Sequence, residues 1–445
     1  MLTRFVLSAR DTGQRLVDLP PPASDGGALL PRVVVDTRRR FQTHLGFGGA
    51  FTEAAATVWQ GLPEPAQEQL LRDYFDASHG HGYTMGRVHI NSCDFSLGHY
   101  AHAPLADDFA LDHFNIDRDR QAVLPFIRAA QRAAGRALQM LASPWSPPAW
   151  MKTNGRMDDG GKLQPECRAA WAQCFVRFIR AYEAEGVPIW GVSVQNEPAA
   201  HQRWESCLYS AEEERDFVRD HLGPALRDAG LGHVKIVIWD HNRDLILERA
   251  SVVYADADAA GFVWGTGFHW YGDEAFDQLQ RVHDAWPDKH LLFTEGCQEG
   301  GPHIGSWEVG ERYARNVLND LNRWTVGWID WNLLLDERGG PNHVGNFCSA
   351  PVLADTGRGE LMHQSAYWVL GHFSRFIRPG AQRVLSVAAN DIDTTAFTNP
   401  DGSTAVVASN RHDHALRFSL CVDGTCRAVE LPPRSIATFV ASGTA

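Results

Sequence analysis

What most constrains this chain is a repeated pairing of a short apolar run with a knot of polar and aromatic side chains at its C-terminal end. The runs are Gly46–Phe51, Thr84–Ile90, Leu138–Ala142, Ile189–Val194, Val234–Trp239, Val263–Phe268, Leu291–Phe293 and Gly327–Trp331. Helical stretches lie between them, among them Arg118–Ala134, Pro165–Glu185 and Glu212–Ala229. Short runs alternating with helices read as parallel strands covered by helices. A long unbroken series of such pairs predicts a closed (β/α)8 TIM barrel of the α/β class rather than an open sheet.

The polar knots are Asn91-Ser-Cys-Asp94, Ser143-Pro-Trp145, Gln195-Asn-Glu197, Asp240-His-Asn242, His269-Trp-Tyr271, Thr294-Glu295 and Asp330-Trp-Asn332. In such barrels the C-terminal strand ends carry the active site, so this recurrence is a pocket pattern. The chain holds 15 tryptophans, and an indole face suits the apolar C–H face of a pyranose.

Both chain ends differ from the middle. Near the start runs Arg32-Val-Val-Val-Asp36. The tail reads as short strands, Ala405–Ala408, Ala415–Leu420, Cys426–Leu431 and Ile436–Val440, with Asn399-Pro-Asp-Gly402 as a turn. We expect residues 44–380 to form the barrel, and residues 1–43 and 381–445 to form a β-sandwich side domain together.

Several function classes fall away. A net charge of −13 argues against nucleic acid as a partner and against docking on anionic lipid. No apolar stretch is long enough to span a bilayer, and Met1–Pro22 lacks the core of a secretory signal, so a cytoplasmic location is expected. The eight cysteines show no zinc spacing and are expected to be free thiols, with Cys421 and Cys426 the first choice for a local bridge if any pair forms. His79, His81, His99 and His102 lack a partner cluster with ligand spacing and read as solvated loop residues; no metal and no cofactor are expected. Gly46-Phe-Gly-Gly49 lacks the residues of a phosphate loop and reads as close backbone packing.

Glu197 and Glu295 remain. Each stands at the polar end of an apolar strand, the fourth and the seventh, on facing sides of the barrel mouth. A lone glutamate there is ordinarily half of an ion pair. Two that face each other can cleave a glycosidic bond with retention, one attacking the anomeric carbon and the other serving as acid and then base.

At these residues the chain resembles glycoside hydrolase family 30, the family of the lysosomal glucosylceramidase. The matching segments are Gly46-Phe-Gly-Gly-Ala-Phe-Thr-Glu53, Arg87-Val-His-Ile-Asn-Ser-Cys-Asp-Phe-Ser96, Ser143-Pro-Trp-Ser-Pro-Pro-Ala-Trp-Met-Lys-Thr-Asn-Gly155 and Gln195-Asn-Glu-Pro198. His269-Trp-Tyr271, Thr294-Glu-Gly-Cys297, Gly327-Trp-Ile-Asp-Trp-Asn332, Gly339-Gly-Pro-Asn342 and Gly371-His-Phe-Ser-Arg-Phe-Ile377 follow in order. The resemblance implies that Glu197 is the acid/base, Glu295 the nucleophile, and Asn196 the partner of the sugar 2-hydroxyl. It places Asp94, Trp145, Trp331 and Asn346 in the glycone pocket, and His269 and Tyr271 beside the nucleophile, with Tyr271 orienting Glu295. Departures from the family pattern are Gln195, His89, Asn91 and the loop Gly345-Asn-Phe-Cys348, all expected near the sugar.

The expected activity is therefore retaining exo-β-glycosidase action on small β-glycosides or oligosaccharides, with glucose as the first glycone. Xylose, fucose and galactose are alternatives, as is endo-β-1,6-glucanase action. A catalytically silent sugar-binding barrel is the alternative from another class, and a metal-dependent hydrolase the third.

Overall fold

The computed structural model describes residues 2–27, 29–389 and 392–443; Met1 and the other residues outside these spans fall in the two expected side-domain segments. Eight parallel strands close into a barrel: β1 (Gly46–Ala50), β2 (Met85–Ile90), β3 (Gln139–Pro144), β4 (Ile189–Ser193), β5 (Lys235–Asn242), β6 (Val263–His269), β7 (His290–Glu295) and β8 (Thr325–Asn332). Each expected run falls on its own strand. β8 pairs with β1, Gly327 opposite Gly46 and Asp330 opposite Gly49, which shuts the ring. The glycines of β1 serve close approach: a Cβ on Gly48 would stand 2.1 Å from the Met85 carbonyl oxygen. Met85, Leu141, Val237, Leu292 and Ile329 fill the lower barrel as a buried apolar plug.

Two expected helices differ in detail. The first begins at Val123, not Arg118. Asp119 is drawn into the core instead, where it accepts from Tyr182 Oη (2.7 Å) and Tyr100 Oη (2.9 Å) and meets His102 Nε2 (3.0 Å). The stretch 212–229 is helical but interrupted by a π turn at Val218–Leu222. Pro224 lacks an N–H and cannot continue a regular ladder, so the register loosens just before it.

The chain ends build one nine-stranded sheet in the order Thr425–Leu431, Leu416–Val422, Arg32–Thr43, Gln382–Ala388, Asp393–Thr398, Thr404–Asn410, Ser435–Ala441, Leu2–Ala9, Val17–Leu19. Phe5, Val406 and Phe439 share a single core with Val33, Phe418 and Val429, so strands from both halves of this order face each other as a sandwich. The N-terminal contribution is larger than Arg32–Asp36 alone suggests: Leu2–Ala9 pairs with Ser435–Ala441 along most of its length.

Two expectations are corrected. Cys421 and Cys426 form a disulfide across the Asp423-Gly424 hairpin, so the cysteines are not all free thiols; the pairing follows from Cys421 standing opposite Cys426 in register. His81 and His102 are buried, not solvated: His81 Nε2 lies 3.0 Å from the Tyr367 carbonyl, and His102 is held by Asp119. Among the described residues no helix is long and apolar enough to cross a membrane.

Candidate active site

One two-residue step above the apolar plug, the barrel interior turns ionic. Arg87 follows Met85 on β2, Ser143 follows Leu141 on β3, and Thr294 follows Leu292 on β7; side chains two apart on a strand share a face. The Arg87 guanidinium is fully buried. It donates to Glu295 Oε2 (2.5 Å), Asp240 Oδ2 (2.8 Å), Asn196 Oδ1 (2.8 Å) and Ser143 Oγ (3.0 Å). Burial alone lowers a guanidinium's pKa, but Asp240 and Glu295 outweigh it and hold Arg87 firmly charged.

Glu295 ends β7, and its second oxygen accepts from Tyr271 Oη at 2.9 Å. Glu197 lies just past β4. Its N–H donates to the Asp240 carbonyl (3.0 Å) while the Asn196 N–H donates to that of Pro144 (2.8 Å), so the exit of β4 is pinned to both neighbouring strands. Glu197 has φ 47°, a left-handed backbone that costs energy without a glycine and aims its carboxyl into the mouth. An oxygen of Glu197 and an oxygen of Glu295 lie within 4.8 Å of each other.

His269 stands behind Glu197. Its Nδ1 is 3.1 Å from Glu197 Oε1 and its Nε2 is 3.1 Å from Asp240 Oδ1. Burial pushes the imidazole down, but the charge of Glu295 and the bonds to Asp240 and Glu197 lift it to about 9. Asp240 is held well below the usual carboxylate range: burial opposes this, and Arg87, His269 and Ser193 overcome it. Burial raises Glu295, and the charge of Glu197 adds to it against His269 and Arg87. For Glu197 burial is outweighed by His241 and His269, which lower it. Glu197 and His269 thus hold one proton between them. With that proton on Oε1 the imidazole is neutral and donates from Nε2 to Asp240.

The pocket is lined by Glu197 and Glu295 together with Asp94, Trp145, Asn196, Tyr271, Trp331 and Asn346, each expected there from the sequence. Trp145 and Trp331 stack with ring centroids 5.2 Å apart, and Arg87 lies over the Trp145 ring at 4.7 Å. Asp94 accepts from the Nδ2 groups of Asn346 (3.1 Å) and Asn342 (3.2 Å). Burial, against those two bonds and with help from Glu295 and Glu205, pushes its carboxyl up to about 8. A carboxyl that keeps its proton at neutral pH can donate as well as accept, which suits a pair of sugar hydroxyls.

Other placements differ. His269 is not part of the pocket wall; it is fully buried and reaches the site through Glu197. His89, Asn91 and Gln195 also stay off the wall: His89 Nε2 accepts from the Glu53 N–H (3.1 Å), Asn91 Nδ2 donates to the Ser146 carbonyl (2.9 Å), and Gln195 Nε2 to that of Trp145 (2.7 Å). Sequence reasoning assigned no role to Arg87, Asp240, Trp204 or His241. Arg87 had a visible signal, a charge inside an otherwise apolar strand. Trp204 had none, since it lies on a loop far from any strand end. Glu197, His269 and Glu295 also have the composition of a metal site. Arg87 on Glu295 and the two bonds of His269 already compensate that charge.

Comparison with known proteins agrees with this geometry. Residues 44–377 match the glycosyl hydrolase family 30 TIM-barrel domain, and residues 380–439 match the family 30 beta sandwich domain. The lysosomal acid glucosylceramidase of Mus musculus is 37% identical over 405 residues, covering 87% of this chain and 78% of that protein. The crystal structure of SrfJ from Salmonella typhimurium superposes with a TM-score of 0.96 at 37% identity, covering 100% of both chains. An endo-β1,6-glucanase structure does so with a TM-score of 0.89 at 27% identity, covering 99% of each.

Proposed function

Because the chain belongs to glycoside hydrolase family 30, we propose that it is a retaining exo-β-glycosidase that releases a terminal sugar, glucose first, from small β-glycosides. The observation that carries retention is the spacing of the two carboxyls. An oxygen of each carboxyl within 4.8 Å of the other supports the close spacing of retaining enzymes, about 5–5.5 Å between carboxyls, over the about 6.5–9.5 Å of inverting ones.

In the first step a Glu295 oxygen attacks the anomeric carbon. The bond from that carbon to the leaving oxygen breaks, and the leaving oxygen takes the proton held by Glu197. Arg87 and Tyr271 orient the attacking carboxylate. Asn196 Oδ1 is fixed by Arg87, which leaves its Nδ2 free to meet the sugar 2-hydroxyl. In the second step water attacks the same carbon, gives its proton to Glu197 and frees Glu295, so the product keeps the β configuration.

Exo action is supported by the Asp94 carboxyl, held by Asn342 and Asn346 as a polar wall for the hydroxyls of one terminal sugar. Glucose is supported by the named activity of the Mus musculus relative. Endo-β-1,6-glucanase action is the second reading, favoured by the 27% identical structure of that name. A panel of nitrophenyl β-glucoside, xyloside, fucoside, galactoside and glucuronide separates the two. Release from the glucoside above the others is the expected result; silence across the panel, with hydrolysis of a β-1,6-glucan, overturns the exo reading.

A further inference from the structure

A second polar cluster lies outside the glycosidase machinery, where three loops of the barrel mouth meet. His99 follows β2, Glu205 follows β4 and His343 follows β8, and each brings one ligand atom within 4.8 Å of the others. His99 Nδ1 stands 2.9 Å from Glu205 Oε1, and the two imidazole rings are 4.8 Å apart. Glu205 is 1% exposed, which places a full carboxylate out of water.

His343 decides the reading. Its Nδ1 lies 3.0 Å from the Asp94 carbonyl oxygen and 3.2 Å from that of Ser96. Carbonyl oxygens only accept, so Nδ1 carries a proton, and a neutral ring then turns the Nε2 lone pair outward. That lone pair faces Glu205 Oε2 at 3.5 Å, and both atoms are buried without a hydrogen-bond partner. The Ser92 hydroxyl and a backbone N–H also stabilise this carboxylate beside the two histidines. Something positive must sit between these two atoms, and a cation there would bind both of them and His99 at once. A histidine whose far nitrogen donates to a backbone carbonyl is the usual posture of a metal ligand. The 3.5 Å gap also fits two ligands of one tetrahedral zinc, which stand about 3.3–3.6 Å apart given bonds of about 2.0–2.2 Å.

We propose that His99, Glu205 and His343 form a binding site for a divalent cation of the zinc class, with its remaining position open to water. His99 is the exposed face of the site; Asp158, 3.7 Å from His99 Nε2, is taken by Arg156 at 2.7 Å. The cation is a clamp and takes no part in bond cleavage. It ties together the three loops that carry Asp94, Trp204 and Asn346, all in the pocket wall.

The test uses the full chain, stripped with a chelator, dialysed, and titrated with Zn2+ and in parallel with Co2+. One equivalent of Zn2+ binds, the melting temperature rises by several degrees, and Co2+ gives the visible absorption of a four-coordinate site. His99→Ala removes a half-exposed side chain and keeps the fold, yet weakens binding by at least ~10-fold; His343→Ala does the same. Folded protein that takes up neither ion overturns the proposal and leaves an imidazolium at His343 as the partner of Glu205. Uptake unchanged in both histidine variants overturns it as well and assigns the ion to another site, such as a buried thiol.

Discussion

The lower and upper halves of the barrel interior use the same strands and the same inward face, yet one is a plug and the other a reaction site. Met85, Leu141, Leu292 and Ile329 fill the lower layer. Two residues on, the same strands present Arg87, Ser143, Thr294 and Trp331. β5 makes the change differently: Val237 is in the plug, but Trp239 and Asp240 adopt φ of 69° and 52°, and the resulting irregularity against β6 turns Asp240 inward. The lower layer is held by dispersion and exclusion of water and tolerates apolar side chains of similar volume. The upper layer is held by charge pairing, in which the two cations Arg87 and His269 answer the three carboxyls of Asp240, Glu197 and Glu295, so loss of a cation is costlier there than loss of a carboxylate charge.

The largest effect expected in the upper layer comes from removing Glu295, the proposed nucleophile. Glu295→Gln keeps the shape and the Tyr271 contact, so melting changes little beside a kcat loss of about 10^4-fold or more on any glycoside. Retained turnover in pure, folded variant would remove Glu295 from the chemistry. Next comes the test of what holds each layer. Arg87→Met leaves Asp240 and Glu295 buried without their cation and lowers stability by about 3–5 kcal/mol, with activity abolished. Leu292→Ala in the plug costs about 2–5 kcal/mol through a cavity but keeps kcat/KM in the protein that stays folded. Denaturant melts and initial rates on both variants give the answer; equal loss of activity in the two would erase the distinction between layers.

The shared proton predicts a pH effect. His269 is lifted to about 9, so the proton of the Glu197–His269 pair is present below that pH and is lost as pH rises through it. The kcat/KM profile, which reports the free enzyme, therefore falls on a basic limb near pH 9, and His269→Asn moves that limb to lower pH. An unmoved limb would show that His269 holds no part of the proton. The smallest effect is at Tyr271→Phe, which deletes the 2.9 Å bond to Glu295 and costs about 10-fold in kcat, the worth of one hydrogen bond to a charged group.

The same contrast explains what was legible in the sequence. Strand ends were readable because an apolar run that stops at Asn-Glu or Thr-Glu marks both a boundary and a face, which singled out Glu197 and Glu295, while the resemblance to the family placed Tyr271 and Asp94 in the pocket that they line. Arg87 was quoted within a motif but given no task, since a charge in mid-strand acquires meaning only once β2, β5 and β7 are known to share an interior. Asp240 was placed at a strand end among the polar knots, but its inward turn depends on a backbone irregularity that no residue pattern announces. His99 and Glu205 are separated by 106 residues, so their cluster emerges only when the loops are closed. The disulfide was within reach: Asp423-Gly424 has φ of 46° and 84°, a tight hairpin signal that sets Cys421 opposite Cys426. The pairing of the first strand with the last was not, because nothing local links Leu2–Ala9 to Ser435–Ala441.

Glu197 and Glu295 are proposed to work as a close pair that retains configuration. Proton NMR of the first minutes of nitrophenyl β-glucoside hydrolysis tests it most directly. The β anomer of the free sugar is expected to appear first and then mutarotate; an α anomer formed first would contradict retention and require the two carboxyls to work with a water between them.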